Sequence, residues 1–203
     1  MPYVLKEIEH LDCKKNVILE ENDTETIESI KNYNCQIIYQ NGKGYGNALI
    51  QGIKNCKTEL FAIFNADGSF NPKELDLMIK LIEKEKLDFI FGSRYQDNAS
   101  SEDDTIVTLV GNYFFSYLGK ILFKLNITDI LYTFVVGRSD KFKELGIISN
   151  DFTFCVELPI KIKKFNFKMK SIPSYERKRI SGKKKVNALV DGFKILIKML
   201  RLF

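Results

Sequence analysis

What the sequence lacks narrows its chemistry first. Its single histidine, His10, lies near the N-terminus and far from every motif described below, so it reads as an ordinary surface residue. Cysteines 13, 35, 56 and 155 form no Cys-x-x-Cys pair and sit in ordinary periodic segments, which argues against a zinc site or a disulfide framework. They read as reduced, half-buried thiols of a cytosolic protein. No basic segment followed by a long apolar run opens the chain, so no secretory signal is recognisable. No stretch reaches the roughly 18 consecutive apolar residues of a spanning helix. Internal repeats and low-complexity linkers are absent too.

What is present is enough for one sizeable core: 203 residues with 45% hydrophobic content predict a single domain. The net charge of +5 is unevenly spread. Residues 161–203 hold 14 Lys or Arg against two acidic residues, Glu176 and Asp191, whereas residues 1–160 hold 17 against 24. A cationic tail on an acidic body fits phosphates, anionic lipid head groups or nucleic acid, or simply a soluble charged surface.

Short β-rich runs at 17–19, 35–39, 60–64 and 87–91 alternate with helical patterns at 22–32, 46–55 and 72–86, which predicts an α/β fold with a parallel sheet covered by helices. Pro72 suits a first helical turn, where a missing N–H does no harm. The acidic stretch 96–105 reads as a mobile loop leading into a long helix over 106–125.

The run Leu60 to Phe64 stops abruptly on Asn65-Ala66-Asp67-Gly68-Ser69. In open α/β sheets ligands sit beyond the carboxyl ends of strands, and Asn65, Asp67 and Ser69 there offer hard oxygen ligands to Mg²⁺ or Mn²⁺. The same spacing fits a plain Asx turn capping the helix at Pro72. Asn41-Gly42-Lys43-Gly44-Tyr45-Gly46 follows a strand and opens a helix, where glycines let the backbone approach an anion. Alone it is a weak signal.

Taken in order, these motifs resemble the family 2 glycosyltransferases of the GT-A fold, in the branch of dolichyl-phosphate mannose synthase and polyprenyl-phosphate glycosyltransferases. The resemblance spans roughly residues 17–187. Glu20-Glu21 falls where the family binds the nucleotide, and Lys43 and Gly44 match its glycine loop. Asn65-Ala66-Asp67 takes the Asp-x-Asp position, with Ser69 as a further metal contact. Phe91-Gly92-Ser93-Arg94-Tyr95 matches a Gly-Ser-Arg-Tyr strand end. Asn112, Asp129 and Glu157 fall on an Asn of the long helix, the Asp of an acceptor-side turn and a Glu of the next helix. Arg179, Gly182 and Lys185 fit an Arg-x-x-Gly-x-x-Lys motif.

The resemblance implies a GT-A, Rossmann-like sheet flanked by helices over residues 1–186. It implies inverting, Mg²⁺- or Mn²⁺-dependent sugar transfer from a nucleotide-diphosphate sugar to a polyprenyl phosphate. Asp67, Arg94 and Asp129 would be catalytic. Glu20, Glu21, Lys43, Gly44, Asn65 and Asp67 would hold the donor; Arg94, Arg179 and Lys185 the acceptor phosphate; and Asn65, Asp67 and Ser69 the metal. An acceptor that is already anionic needs no strong general base. Over 187–203, Lys194, Lys198 and Arg201 recur at i, i+4 and i+7 and make a cationic face on an otherwise apolar helix. That helix suits peripheral attachment to the cytoplasmic membrane face, or packing on the domain. Nucleic acid is the least favoured partner, since the tail lacks interleaved aromatics.

The family's opening strand has no counterpart, because the chain starts in what resembles the following helix. The central strand is therefore expected to come from upstream or from a partner. If neither supplies it, the expectation becomes a non-catalytic nucleotide-sugar-binding or partner-binding protein with a degenerate fold.

Overall fold

The computed structural model describes residues 1–182 and 186–203. The first half runs α1 (Pro2–Glu7), β1 (Asn16–Leu19), α2 (Thr24–Ile30), β2 (Gln36–Tyr39), α3 (Tyr45–Lys54), β3 (Leu60–Ile63), α4 (Pro72–Lys84) and β4 (Phe89–Ser93). Then follow β5 (Ser100–Ser101), α5 (Ile106–Phe123), β6 (Val135–Arg138), α6 (Ser139–Glu144), α7 (Phe154–Lys164), β7 (Met169–Pro173), β8 (Tyr175–Glu176) and α8 (Ala188–Leu202).

The main sheet has the order β3-β6-β4-β7. Alternation along its strands splits the core in two. Phe61, Ile63, Phe89, Phe91 and Val135 enter the larger core under α3, α5 and α7, whereas Ile90, Val136 and Ile172 enter the core beneath α4. β4 is buried along its whole length, as a strand covered on both faces must be. Gly137 permits the close packing there: a Cβ at that position would lie 2.5 Å from the Phe89 ring.

One expectation is corrected and one is met. The sheet is mixed, because β6 runs antiparallel between β3 and β4. Its Val135-Val136-Gly137 is a short apolar run, which periodicity cannot separate from a buried piece of helix. The sheet is also divided, as the expected lack of a central strand implies: β1 and β2 pair parallel as a separate ribbon, and among the described residues no ladder joins β1 to β3. The ribbon meets α3, where the Ile18 side chain lies on Gly52, and α1, where Val17 and Leu19 pack with Leu5.

Helix ends follow local chemistry. Asn71 caps α4 by accepting the Lys73 N–H (3.1 Å), with Pro72 at the first turn. Thr105 and Thr108 form a reciprocal capping box that starts α5.

The expected C-terminal helix is α8, and it packs on the domain. Ile195 and Met199 enter the larger core, and Lys198 reaches the fully buried Glu157 (3.2 Å). Glu157 also accepts the Ser149 N–H (2.8 Å) and pairs with Lys161 (2.8 Å), so one carboxylate ties α7, α8 and the 148–151 loop together. All four cysteines are free; Cys13 is exposed and Cys155 buried.

Candidate active site

Beyond the end of β3 the chain turns at Asp67, whose Oδ1 accepts the Ser69 N–H (3.0 Å). This is an Asx turn, but it does not cap α4, since Asn71 has that task. Asp67 Oδ2 faces the Arg179 guanidinium at 3.6 Å, and the carboxylate is about one-fifth exposed. Asn65 lies two residues earlier, and its Oδ1 accepts a long hydrogen bond from the Tyr45 hydroxyl (3.4 Å). Tyr45 in turn meets Thr133 Oγ1 at 2.6 Å and stacks on Phe152, which anchors the first residue of α3 beside the strand end. Burial pushes the Tyr45 phenol above its usual range, so it stays protonated and able to donate.

The segment after β8 lies over this turn. The Arg177 N–H donates to the Ser69 carbonyl and the Ile180 N–H to the Asp67 carbonyl, both at 2.8 Å. Gly68 takes φ +84°, and a Cβ there would lie 2.6 Å from Ile180. Ser69 is buried beneath this strap. Arg179 is held from the far side by Asp103 (Nη2 to Oδ2, 2.9 Å), whose hydrogen bonds raise its pKa further.

The second cluster centres on Arg94, at the end of β4. Its Nε and Nη2 donate to the two oxygens of Asp129 (2.7 and 3.0 Å), Nη1 donates to Glu176 (3.1 Å) and lies 3.4 Å from Asp104, and the guanidinium stacks 4.5 Å from the Tyr132 ring. Burial works against this charge, yet the charge and hydrogen bonds of Asp129, with Glu176, outweigh it and lift the Arg94 pKa well above its usual value. Arg94 is 9% exposed and the Asp129 side chain wholly buried.

This changes the roles expected of Arg94 and Asp129. The guanidinium spends four of its five N–H donors on three carboxylates, which neutralise its charge. A carboxylate with both oxygens on that guanidinium is not an open base. Together they pin the end of β4 to the turn before β6. The loop at 96–105 is likewise tied down rather than loose: Ser100–Ser101 pairs with β8, Asp104 bonds Tyr95 and Thr108, and Glu102 accepts the Lys178 N–H. Asn112 completes the array by donating to the Tyr95 hydroxyl (2.8 Å).

Glu20 and Glu21 are exposed just after β1. Gly44 takes φ +104° against the Asn150 carbonyl, and neighbouring Lys43 lines a groove of about 490 Å³ with Asn150, Asp151, Lys194, Lys198 and Arg201. Lys185 lies outside the described residues. The structure thus gathers Asn65, Asp67, Ser69 and Arg179 at one turn, and places Arg94 with Asp129 in a separate buried cluster. Sequence reasoning missed Tyr45, Asp103, Asp104 and Glu176. The one available signal was Glu176, an acid isolated in a cationic segment.

Among the described residues no group of three or more His, Cys, Asp or Glu is placed to hold a metal ion. One carboxylate with a neighbouring amide oxygen does fit a cation of the Mg²⁺ type, which takes few protein ligands and completes its shell with substrate phosphates and water.

Comparison with known proteins agrees with this architecture. An uncharacterized protein of Methanocaldococcus jannaschii is 24% identical over 97% of this chain and 84% of its own length. An uncharacterized glycosyltransferase of Mycobacterium bovis is 23% identical over 87% and 78%. Among solved structures, mannosyl-3-phosphoglycerate synthase from Rubrobacter xylanophilus aligns with a TM-score of 0.71 at 14% identity, covering 99% of this chain and 67% of its own. Glucosyl-3-phosphoglycerate synthase from Mycobacterium tuberculosis, in complex with Mn²⁺, UDP and glucosyl-3-phosphoglycerate, aligns with a TM-score of 0.76 at 9% identity, over 99% and 74%. The description "Glycosyl transferase family 2" matches residues 8–146, more than half of the chain. This chain therefore belongs to glycosyl transferase family 2 and is a glycosyltransferase of the GT-A fold.

Proposed function

We propose that this glycosyltransferase is an inverting, metal-dependent enzyme that moves a sugar from a nucleotide-diphosphate donor to a polyprenyl, dolichyl-type phosphate at the cytoplasmic membrane face. The observation that carries the reading is the turn after β3. There a part-exposed carboxylate, Asp67, has one oxygen engaged by its own turn and the other facing the Arg179 guanidinium at 3.6 Å. Asp67 and Asn65 would hold Mg²⁺ or Mn²⁺, which when bound neutralises charge developing on the leaving diphosphate. Glu20, Glu21, Lys43 and Gly44 follow the ends of β1 and β2 and would take the rest of the donor. Arg179, on the strap, is the cation best placed for the acceptor phosphate.

The chemistry then needs no protein base. An acceptor phosphate oxygen attacks the anomeric carbon as the bond to the diphosphate breaks, and the attacking oxygen carries no proton to remove. The fully paired Asp129 is consistent with that economy. Lys198 and Lys194 of α8 are engaged by Glu157, Asp191 and Asp151, so it is the exposed Leu189, Phe193 and Leu200, with Arg201 beside them, that support peripheral attachment to a membrane.

The test incubates the protein with Mn²⁺, a panel of radiolabelled nucleotide sugars and membranes containing polyprenyl phosphate, with 3-phosphoglycerate as a competing soluble acceptor. Label should enter the lipid phase, vanish with chelator and fall by about 10²–10³ in Asp67→Ala, the scale of losing one electrostatic stabiliser of a transition state. Label in a water-soluble product would move the acceptor to small phosphates. Nucleotide-sugar binding without transfer to any acceptor would favour the non-catalytic reading.

A further inference from the structure

Helix α5 is apolar on both faces. Phe115 and Phe123 enter the larger core beside the buried Asn112 and Ser116, which bond the Tyr95 hydroxyl and the Ile130 N–H. Its outward side carries Ile106, Val110, Tyr113, Tyr117 and Ile121, and from Ile106 to Gly119 there is no charged residue. Ile106 is 82% exposed and Tyr117 63%. A surface helix of a globular domain presents a polar outer face instead. α8 continues this face. It packs on α5 with Gly192 under the Phe115 ring and Phe203 edge-on to Phe123, and leaves Leu189, Phe193 and Leu200 exposed. Such a contiguous apolar surface marks a contact site.

The surrounding charge selects the occupant. Exposed Lys120 and Lys124 stand at the C-terminal end of α5, and Arg201 lies beside the apolar stripe of α8 together with Lys194, which also faces Asp191 (3.8 Å) and Asp151 (4.0 Å). The acids nearest the start of α5 are already engaged, Asp104 by Arg94 and Tyr95 and Asp103 by Arg179. Aliphatic side chains and tyrosines edged by cations are the composition of a surface that sinks into a head-group layer. A second copy docked through the same face would set these cations against one another.

We propose that α5 and α8 together form a docking platform for an anionic phospholipid bilayer, with α5 supplying most of the inserted surface. This deepens the membrane attachment proposed above and rests on that reading for its partner, but not for the acceptor. Its test uses vesicles without polyprenyl phosphate and no nucleotide sugar, so docking and sugar transfer fail separately.

The full chain is floated with vesicles of phosphatidylcholine, with and without phosphatidylglycerol. It should bind the anionic vesicles, more weakly as salt rises. Val110→Glu/Tyr117→Glu should lower the partition coefficient by about tenfold or more, since two apolar side chains lose their burial. Lys194→Gln/Arg201→Gln should weaken binding and flatten its salt dependence. Both variants change exposed residues, so unaltered circular dichroism and thermal midpoint show that the fold is retained. Absence of binding to anionic vesicles, or unchanged binding by the α5 variant, overturns the platform. So does a lipid-free dimer that the α5 variant dissolves, which would assign the face to a second copy.

Discussion

Replacing Asp129 by Ala tests whether the buried arginine cluster is structural. The substitution removes two guanidinium hydrogen bonds of 2.7 and 3.0 Å and a third from the Arg94 N–H (3.2 Å), while Arg94 stays buried. Removing one partner of a buried pair costs about 3–5 kcal/mol, because the other charge is left uncompensated. Here Glu176 at 3.1 Å and Asp104 at 3.4 Å remain, which places the expected loss near the low end, about 3 kcal/mol. For a chain of this size that corresponds to a fall of roughly 6–12 °C in thermal midpoint. Calorimetry and urea unfolding measure it directly. The control is a double-mutant cycle with Arg94→Met: if the two side chains act as a unit, the double variant loses less than the sum of the singles, with about 2 kcal/mol of coupling. A midpoint within about 2 °C of the parent protein, or strict additivity, would refute the reasoning and return Arg94 to the list of groups free to bind phosphate.

Two further outcomes follow from neighbouring contacts. In Gly46→Ala the new Cβ would lie 2.1 Å from the Ser149 carbonyl oxygen and 2.7 Å from that of Asp151, so the glycine loop and the 148–151 loop must separate. Urea unfolding should show a loss of about 1–3 kcal/mol, with weaker nucleotide binding in titration calorimetry. Glu157 is the pH-sensitive tie. Burial raises its pKa, but hydrogen bonds from Lys161 and Ser149 and the charge of Lys198 outweigh this and leave it below the usual carboxylate range. A depressed folded-state pKa gives stability that is present above the ordinary glutamate value, about 4.3, and lost as pH falls through the lowered one. Stability measured across that acid range should decline in the parent protein. In Glu157→Gln it should be flatter, from a starting point about 1–3 kcal/mol lower.

The fold was legible where a local rule and the tertiary structure agree. The strand at 60–64, the proline-started helix after it and the long helix from Ile106 emerge within two residues of the spacing's prediction, because turn chemistry and periodicity act within one element. β6 was not legible: a short buried run takes its direction from partners far away in sequence. The acidic loop at 96–105 looked loose for the same reason. Its carboxylates are solvated charges in the sequence and become ion-pair partners only when the β8 segment and Arg94 arrive beside them.

Arg94 and Arg179 show where a motif stops being informative. Both sit in stretches that resemble phosphate-binding segments, and the sequence gives them the same claim on an anion. The fold separates them by counting carboxylates. Arg94 is enclosed by Asp129, Glu176 and Asp104, so its charge is cancelled before any ligand arrives. Arg179 is about one-quarter exposed, leans on Asp103 and reaches over Asp67, the residue proposed to hold the divalent cation. A cation arriving at Asp67 would repel that guanidinium, and an acceptor phosphate would attract it. A basic residue in a familiar motif is thus a functional cation only if the chain leaves it short of negative partners, and that balance is struck between segments some eighty residues apart.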